Sequence, residues 1–238
     1  MCNTACLRFG EKLLSREEIA GKRVIEVGAY DVNGSLRSYI ESFGPAEYVG
    51  VDIEQGYGVD VVCTAEDLLQ RFGKGRFDVV VSTELLEHVR DWRTVISNMK
   101  NLCAPGGVIL ITTRSKGYPY HGWPYDFWRF ETGDMERIFD DCEVQGIESD
   151  PIEPGVFVKA KKSAAFTERS LSDIAVYSVV TDGPVTDIPE DVLKSFLERR
   201  ADEYRLLERQ TARMIVRKKV RDWYWKAKKR LAGAGASA

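Results

Sequence analysis

Val24–Ser35 reads VIEVGAYDVNGS, an apolar run that ends at Gly28 and opens into a polar turn carrying Gly34 before helical sequence begins. That order predicts a strand, a nucleotide-binding loop and a helix start. Gly28 permits backbone geometry or close ligand approach that a side chain would obstruct, and a helix beginning near Ser35 turns its amide donors back toward the loop. Alone, the segment reads equally well as a packing turn. A second run, Tyr48–Asp52 (YVGVD), ends in an acid 24 residues after Gly28. The spacing suits one strand–helix–strand unit, in which a carboxylate at the tip of the second strand, typically about 20 residues beyond the glycine loop, takes the hydroxyls of a ribose. Asp52 is therefore a candidate ribose ligand rather than only a turn former.

The absence of two phosphate-binding patterns narrows the kind of nucleotide. Tyr30 and Asn33 stand two and five positions after Gly28, where a dinucleotide fingerprint has glycines, which disfavours NAD. No phosphate-gripping loop ending in glycine, lysine and a hydroxyl residue occurs, so ATP and GTP lack their usual cradle. Farther along the chain, Ala65-Glu66-Asp67-Leu68 comes after a third apolar segment, then Phe77–Ser82 (FDVVVS) runs into Thr83-Glu84-Leu85-Leu86-Glu87-His88, and APGGVILITT occupies 104–113.

In this order the motifs resemble those of class I S-adenosylmethionine-dependent methyltransferases, the type 11-like group, over residues 20–162. The resemblance implies a Rossmann-like α/β fold with a mostly parallel seven-stranded sheet and an antiparallel terminal hairpin. It implies S-adenosyl-L-methionine as cofactor, with Glu26, Gly28 and Ala29 around the methionine part, Asp52 and Ile53 at the ribose and adenine edge, and Glu66 and Asp67 by the adenine. Thr83 and Glu84 would border cofactor and substrate. The loop departs from the family in that Tyr30, Asp31, Val32 and Asn33 separate its glycines.

A coarse pass places strands near 23–27, 47–52, 59–63, 78–82 and 107–113, and helices near 35–43, 65–71, 91–102 and 132–140. Glu143–Glu148 and Val156–Lys161 read as an antiparallel pair, which argues against a dehydrogenase, whose sheet would continue in parallel. The expected organisation is a methyltransferase domain over 1–162, a linker over 163–189 and a long basic helical extension over 190–238. In that extension Arg213–Arg230 holds nine Lys or Arg against one Asp, in a chain whose net charge is −3. Leu193, Leu197, Tyr204, Leu207, Thr211 and Met214 form a partial seven-residue stripe, so a homodimer through this helix is one expectation. Contact of the basic arm, with Trp223, Tyr224 and Trp225, with an anionic membrane surface is another, beside a merely solvated helix; nucleic acid comes last.

At 238 residues, 44% hydrophobic and 30% charged, the chain reads as soluble and globular, with no apolar run near the roughly 18 residues of a membrane span. The amino terminus carries no secretory pattern, which together with five cysteines and no Cys-x-x-Cys pair points to the cytoplasm, with peripheral membrane contact open. Cys63, Cys103 and Cys142 read as small apolar residues. Cys2 and Cys6 read as thiols covering the domain, with metal binding or redox sensing as the sharper alternative.

The loop after the fifth strand is rich in rings: seven of the thirteen residues from Tyr118 to Phe130 are aromatic. It lies beyond the carboxyl edge of the sheet, so Tyr120, Trp123, Tyr125, Asp126 and Arg129 are candidate substrate contacts, with an anchoring plug as the rival role. The chain has two histidines, His88 and His121, both where an acceptor would approach, and both are candidate general bases. Glu84-x-x-Glu87-His88 is also similar to the metal-binding motif of ubiquinone-pathway and small-RNA O-methyltransferases. That resemblance implies a divalent cation held by Glu84, Glu87, His88 and His121, whereas in relatives with a comparable Leu-Glu-His-Val sequence Glu87 and His88 serve structure or the cofactor pocket. The sequence favours methyl transfer to a hydroxyl of a small molecule, a sugar or lipid-linked glycan first; an N-methyltransferase of a small amine, or a non-catalytic scaffold or partner subunit with this fold, are the alternatives.

Overall fold

The computed structural model describes residues 3–121 and 126–234; beyond Arg209, side chains are described at Thr211, Met214 and 217–219. Residues 1–188 and 189–238 are separate compact units. The first contains, in chain order, α1 (Thr4–Leu13), α2 (Arg16–Ile19), β1 (Arg23–Val27), α3 (Arg37–Glu41), β2 (Glu47–Asp52), β3 (Val61–Val62), α4 (Leu68–Phe72), β4 (Phe77–Thr83), a 3-10 turn (Leu86–His88) and α5 (Trp92–Leu102). It continues with β5 (Cys103–Arg114), β6 (Trp128–Arg129), α6 (Thr132–Ile138), β7 (Glu143–Ser149), β8 (Gly155–Lys161), β9 (Val176–Ser178) and β10 (Gly183–Val185). The second unit is α7 (Glu190–Ala234).

The main sheet runs β3-β2-β1-β4-β5-β8-β7. β1 through β5 pair in parallel, and β8 lies antiparallel between β5 and β7. The apolar runs become the central strands because both their faces are covered: Val24, Ile25, Val79, Val80, Val81, Ile109 and Leu110 are all buried. On one face sits α1, whose start is capped by Asn3, the side-chain oxygen accepting from the amides of Ala5 (2.9 Å) and Cys6 (3.1 Å). Its buried residues Ala5, Cys6 and Phe9 join Val24, Val79, Val108, Leu110 and Phe157 in one core cluster. α5 buries Trp92, Val95, Ile96, Met99 and Leu102, spaced to line one face of a helix.

The segment expected as a linker, 163–189, is structured up to Ile188 as part of the first unit. β9 and β10 form a hairpin that pairs with β6 in a second sheet, β10-β9-β6. Shortness hid it: three-residue strands, VYS and GPV, have too few positions to show an alternating pattern. α7 spans the expected basic helix, and Tyr204, Leu207 and Met214 of the apolar stripe are exposed. The side chains of Trp223, Tyr224 and Trp225 lie outside the described set, as does Cys2. Among the described residues no helix is long and apolar enough to cross a membrane.

Candidate active site

The carboxyl ends of β1, β2 and β4 bring the sequence-selected residues to one edge of the sheet. Gly28 takes a left-handed backbone (φ +82°), and a Cβ there would lie 3.2 Å from the Leu85 side chain, so the turn out of β1 is one that glycine takes without strain. The amides of Gly28 and Ala29 both donate to the Val51 carbonyl, at 2.9 and 3.0 Å, which ties the loop to β2. Asp52, at the tip of β2, accepts from the amides of Tyr30 (3.1 Å) and Glu54 (3.2 Å), one on each oxygen. A carboxylate so held keeps lone pairs on both oxygens for two further donors, which matches a pair of ribose hydroxyls. Ile53 beside it is exposed.

Glu26 lies beneath the loop and is 1% exposed. It accepts from Tyr48 Oη (2.6 Å) and, on both oxygens, from Ser35 Oγ (3.1 and 3.0 Å). Burial lifts its carboxyl to about 7 against the opposing hydrogen bonds of Tyr48 and Ser35 and the charge of Arg37. Its described role is thus to fasten the start of α3 to β2. Glu66 and Asp67 are exposed in the turn before α4; Asn98 Nδ2 holds the carbonyls of Ala65 (2.9 Å) and Glu66 (2.7 Å), and Asp67 accepts from Thr64 Oγ1 (2.9 Å).

At the end of β4, Thr83 is buried in register with Thr112, and Glu84 takes a left-handed backbone (φ +57°) rare for a residue with a side chain. Its carboxylate turns inward, to an ion pair with Arg114 Nε and to Cys6 Sγ (3.5 Å). Burial, then the charge of Glu87 and of Cys6, push the Glu84 carboxyl well above its ordinary value, with Arg114 opposing. Arg114 also reaches Glu153 (3.2 Å) and stacks its guanidinium over the Tyr118 ring (4.0 Å). Arg114 is not among the residues that the motifs single out, yet it carried a signal: an arginine closing the apolar run VILITTR needs a carboxylate once the strand is buried.

Glu87, His88 and His121 converge. Glu87 is 0% exposed; one oxygen accepts from Thr113 Oγ1 (2.8 Å), and the other, Oε1, stands 3.8 Å from both His88 Nε2 and His121 Nε2. The two imidazoles meet edge to face, centroids 4.7 Å apart. Glu87 Oε1 and His121 Nε2 are buried without a hydrogen-bond partner among the described residues. The three residues each offer one ligand atom, all within 4.8 Å of one another. Glu84 is not part of this group. Asp126 and Arg129 are fully buried and committed to each other, Nη1–Oδ1 2.5 Å, and Asp126 also to His121. Phe127, Trp128 and Phe130 are buried anchors, and Tyr120 is half-buried. Trp123 and Tyr125 lie outside the described residues.

A glycine cradle, a ribose-type carboxylate and a polar cluster at the carboxyl edge of a sheet with an antiparallel β7–β8 end define a class I methyltransferase fold. The chain belongs to the S-adenosylmethionine-dependent methyltransferases: the family described as "Methyltransferase domain" matches residues 3–147. It is 30% identical over 111 residues to a ubiquinone biosynthesis O-methyltransferase of Chromobacterium violaceum, covering 41% of this chain and 47% of that protein. It is 32% identical over 112 residues to the enzyme of that name from Pseudomonas aeruginosa strain LESB58, covering 41% and 47%. The chain thus spans about half the length of the curated relatives it matches. Among solved structures it resembles the Burkholderia thailandensis 1,6-didemethyltoxoflavin-N1-methyltransferase with bound 1,6-didemethyltoxoflavin and S-adenosylhomocysteine, TM-score 0.53 at 16% identity over 68% of this chain and 80% of that one. A Mesorhizobium loti S-adenosylmethionine-dependent methyltransferase matches with TM-score 0.50 at 16% identity, over 67% and 99%. At these identities the structures establish the fold. The cofactor of the family is S-adenosyl-L-methionine, and the Gly28 cradle and the Asp52 carboxylate fit it.

Proposed function

We propose that the protein transfers the methyl group of S-adenosylmethionine to a hydroxyl of a small-molecule acceptor, with a sugar or lipid-linked glycan as the first class to test. The observation that carries the reading is the convergence of His88 and His121, the only two histidines of the chain, on the Glu87 carboxylate beside the cofactor edge. An in-line displacement needs alignment, exclusion of water and, for a hydroxyl, removal of a proton. Bound at this edge, the cofactor supplies a methyl group already activated on its sulfonium. Asp52 holds the ribose, the Gly28 loop accepts the methionine part, and His88 or His121 takes the acceptor proton at an imidazole nitrogen. The oxygen assignment agrees with the names of the curated relatives; an amine acceptor, which arrives with its own lone pair, is the competing class.

A second reading is favoured by the donor set itself. One carboxylate and two imidazoles suit a divalent cation, held by Glu87, His88 and His121 with Glu84 diverted to Arg114. Such a cation would polarise the acceptor hydroxyl. Dimerisation through α7 rests on the exposed Tyr204, Leu207 and Met214, and membrane contact on the charge of 213–230; light scattering and liposome sedimentation, with and without residues 213–238, test them.

The deciding experiment is calorimetric titration with S-adenosylmethionine and S-adenosylhomocysteine, in chelator and then with magnesium, followed by an acceptor screen that reads S-adenosylhomocysteine release. Binding with turnover on hydroxyl acceptors supports the proposal. Turnover on amines alone replaces it with N-methylation, a metal-dependent gain supports the cation, and the absence of binding in both conditions leaves the scaffold reading.

A further inference from the structure

Asp126 and Arg129 form a buried ion pair that the proposed reaction does not itself consume. Both side chains are 0% exposed. Arg129 grips the carboxylate with both terminal nitrogens, Nη1–Oδ1 2.5 Å and Nη2–Oδ2 2.8 Å, and spends its remaining donor capacity on the carbonyls of Tyr118 (3.3 Å), Pro119 (3.2 Å) and Trp128 (2.7 Å). The fork therefore fixes the plane of the carboxylate. Oδ2 then faces His121 twice, accepting from its backbone amide at 2.7 Å and standing 3.1 Å from its ring Nδ1. With both oxygens taken by the Arg129 guanidinium and Oδ2 also by the His121 amide, Asp126 stands as an ionised, acceptor-only carboxylate.

An ionised carboxylate only accepts, so the ring hydrogen facing it must sit on Nδ1. A neutral imidazole side chain free in water prefers the hydrogen on Nε2, so the contact inverts the natural preference. The other nitrogen, Nε2, is then an acceptor, and it is the atom that lies buried without a hydrogen-bond partner among the described residues, 3.8 Å from Glu87 Oε1. The rings of His88 and Tyr118 stand edge to face with that of His121 at 4.7 and 4.9 Å and limit its rotation.

The scaffold holding this pair comes from three parts of the chain. The amide of Phe127, next to Asp126, donates to the Glu87 carbonyl (2.7 Å), and the amide of Val179 donates to the Phe127 carbonyl (3.0 Å). Trp128 Nε1 donates to the Arg90 carbonyl (3.1 Å), and β6 is in register with β9, Trp128 opposite Ser178 and Arg129 opposite Tyr177. The β9–β10 hairpin thereby clamps the pair against the turn that carries Glu87 and His88.

We propose that Asp126, held by Arg129, is a positioning residue that fixes His121 in the Nδ1–H tautomer, so that Nε2 presents its lone pair to the space shared with Glu87 and His88. The consequence for methyl transfer rests on the function proposed above; the tautomer does not. The same lone pair serves proton removal or cation binding, because both need an unprotonated Nε2.

The test is a long-range proton–nitrogen correlation spectrum of the uniformly nitrogen-15-labelled protein, without cofactor or acceptor, at alkaline pH. Two histidines give two patterns, and His88→Asn assigns them. The expected result is a protonated Nδ1 and a pyridine-type Nε2 for His121, changing to the Nε2–H form or a mixture in Asp126→Asn. A wild-type His121 in the Nε2–H form overturns the proposal whether or not the variant folds, and so does a pattern unchanged by Asp126→Asn. Once an acceptor is known, Asp126→Asn is expected to lower kcat about a hundredfold with cofactor affinity retained; an unchanged kcat refutes the catalytic consequence. Loss of cofactor binding by the wild-type protein, with the Nδ1–H pattern intact, would overturn the proposed function and leave this inference standing.

Discussion

Replacing Glu26 by glutamine should change how stability depends on pH, and by a calculable amount. The carboxyl is almost wholly enclosed, and burial moves it from the ordinary 4.5 to about 7. A tenfold change in proton affinity is worth about 1.4 kcal/mol, so the ionised form is about 3 kcal/mol less favourable in the folded chain than in the unfolded one. Between pH 4.5 and 7 the folded chain keeps a proton that the unfolded chain has released. The contribution of Glu26 is therefore fully present below pH 4.5, falls through this window, and is flat above it. The glutamine of the variant does not titrate, and its amide oxygen still accepts from Ser35 or Tyr48. Urea unfolding of Glu26→Gln and wild type at about pH 4.5 and about pH 8, followed by circular dichroism, should show the stability of the variant relative to wild type rising by about 3 kcal/mol over that range. Parallel profiles would refute the reasoning, because they would mean that the hydrogen bonds from Tyr48 and Ser35 and the charge of Arg37 compensate burial in full.

Asp52→Ala should weaken S-adenosylmethionine binding about tenfold to a hundredfold, the worth of hydrogen bonds to a charged group; unchanged affinity by calorimetry removes Asp52 from the site. Gly50→Ala puts a Cβ 2.0 Å from the Gly58 carbonyl oxygen, so β2 and the turn at Gly58 must part, at a cost of about 1–3 kcal/mol visible as a lower urea midpoint. Lys100→Met leaves Asp141, whose side chain is 3% exposed, without the ammonium now 2.6 Å away, and should cost about 3–5 kcal/mol. The double change with Asp141→Leu should recover most of that loss; no recovery would mean that the cost lies in the Lys100 contact with the Ile138 carbonyl (2.5 Å) instead.

The strands were legible because each sits inside a buried parallel sheet and must be a continuous apolar run: VIEV, YVGVD and FDVVVS appear as β1, β2 and β4 at nearly their expected bounds. The helix expected over 35–43 shortens to Arg37–Glu41, where Ser35 Oγ accepts from the Arg37 amide (3.0 Å). The role of α1 was less visible. Its apolar face is assembled from scattered Ala5, Cys6 and Phe9, and its position over β1 and β8 depends on contacts such as Asn3 Nδ2 to Asp150 Oδ2 (2.7 Å), 147 residues away.

The sequence by itself determined the sheet, the order of the motifs and hence the methyltransferase family, because those depend on local hydrophobic pattern and on short spacings along the chain. Only the tertiary structure decided which charges face one another. Glu84 and Glu87 are three residues apart, yet a left-handed backbone at Glu84 sends one to Arg114 and leaves the other with the two histidines. Likewise Asp126 turned from an acceptor contact into the partner of His121 and Arg129, held there by a hairpin more than forty residues downstream. A buried charge takes whichever partner the packing brings within reach, and that choice is made across the fold rather than along the chain.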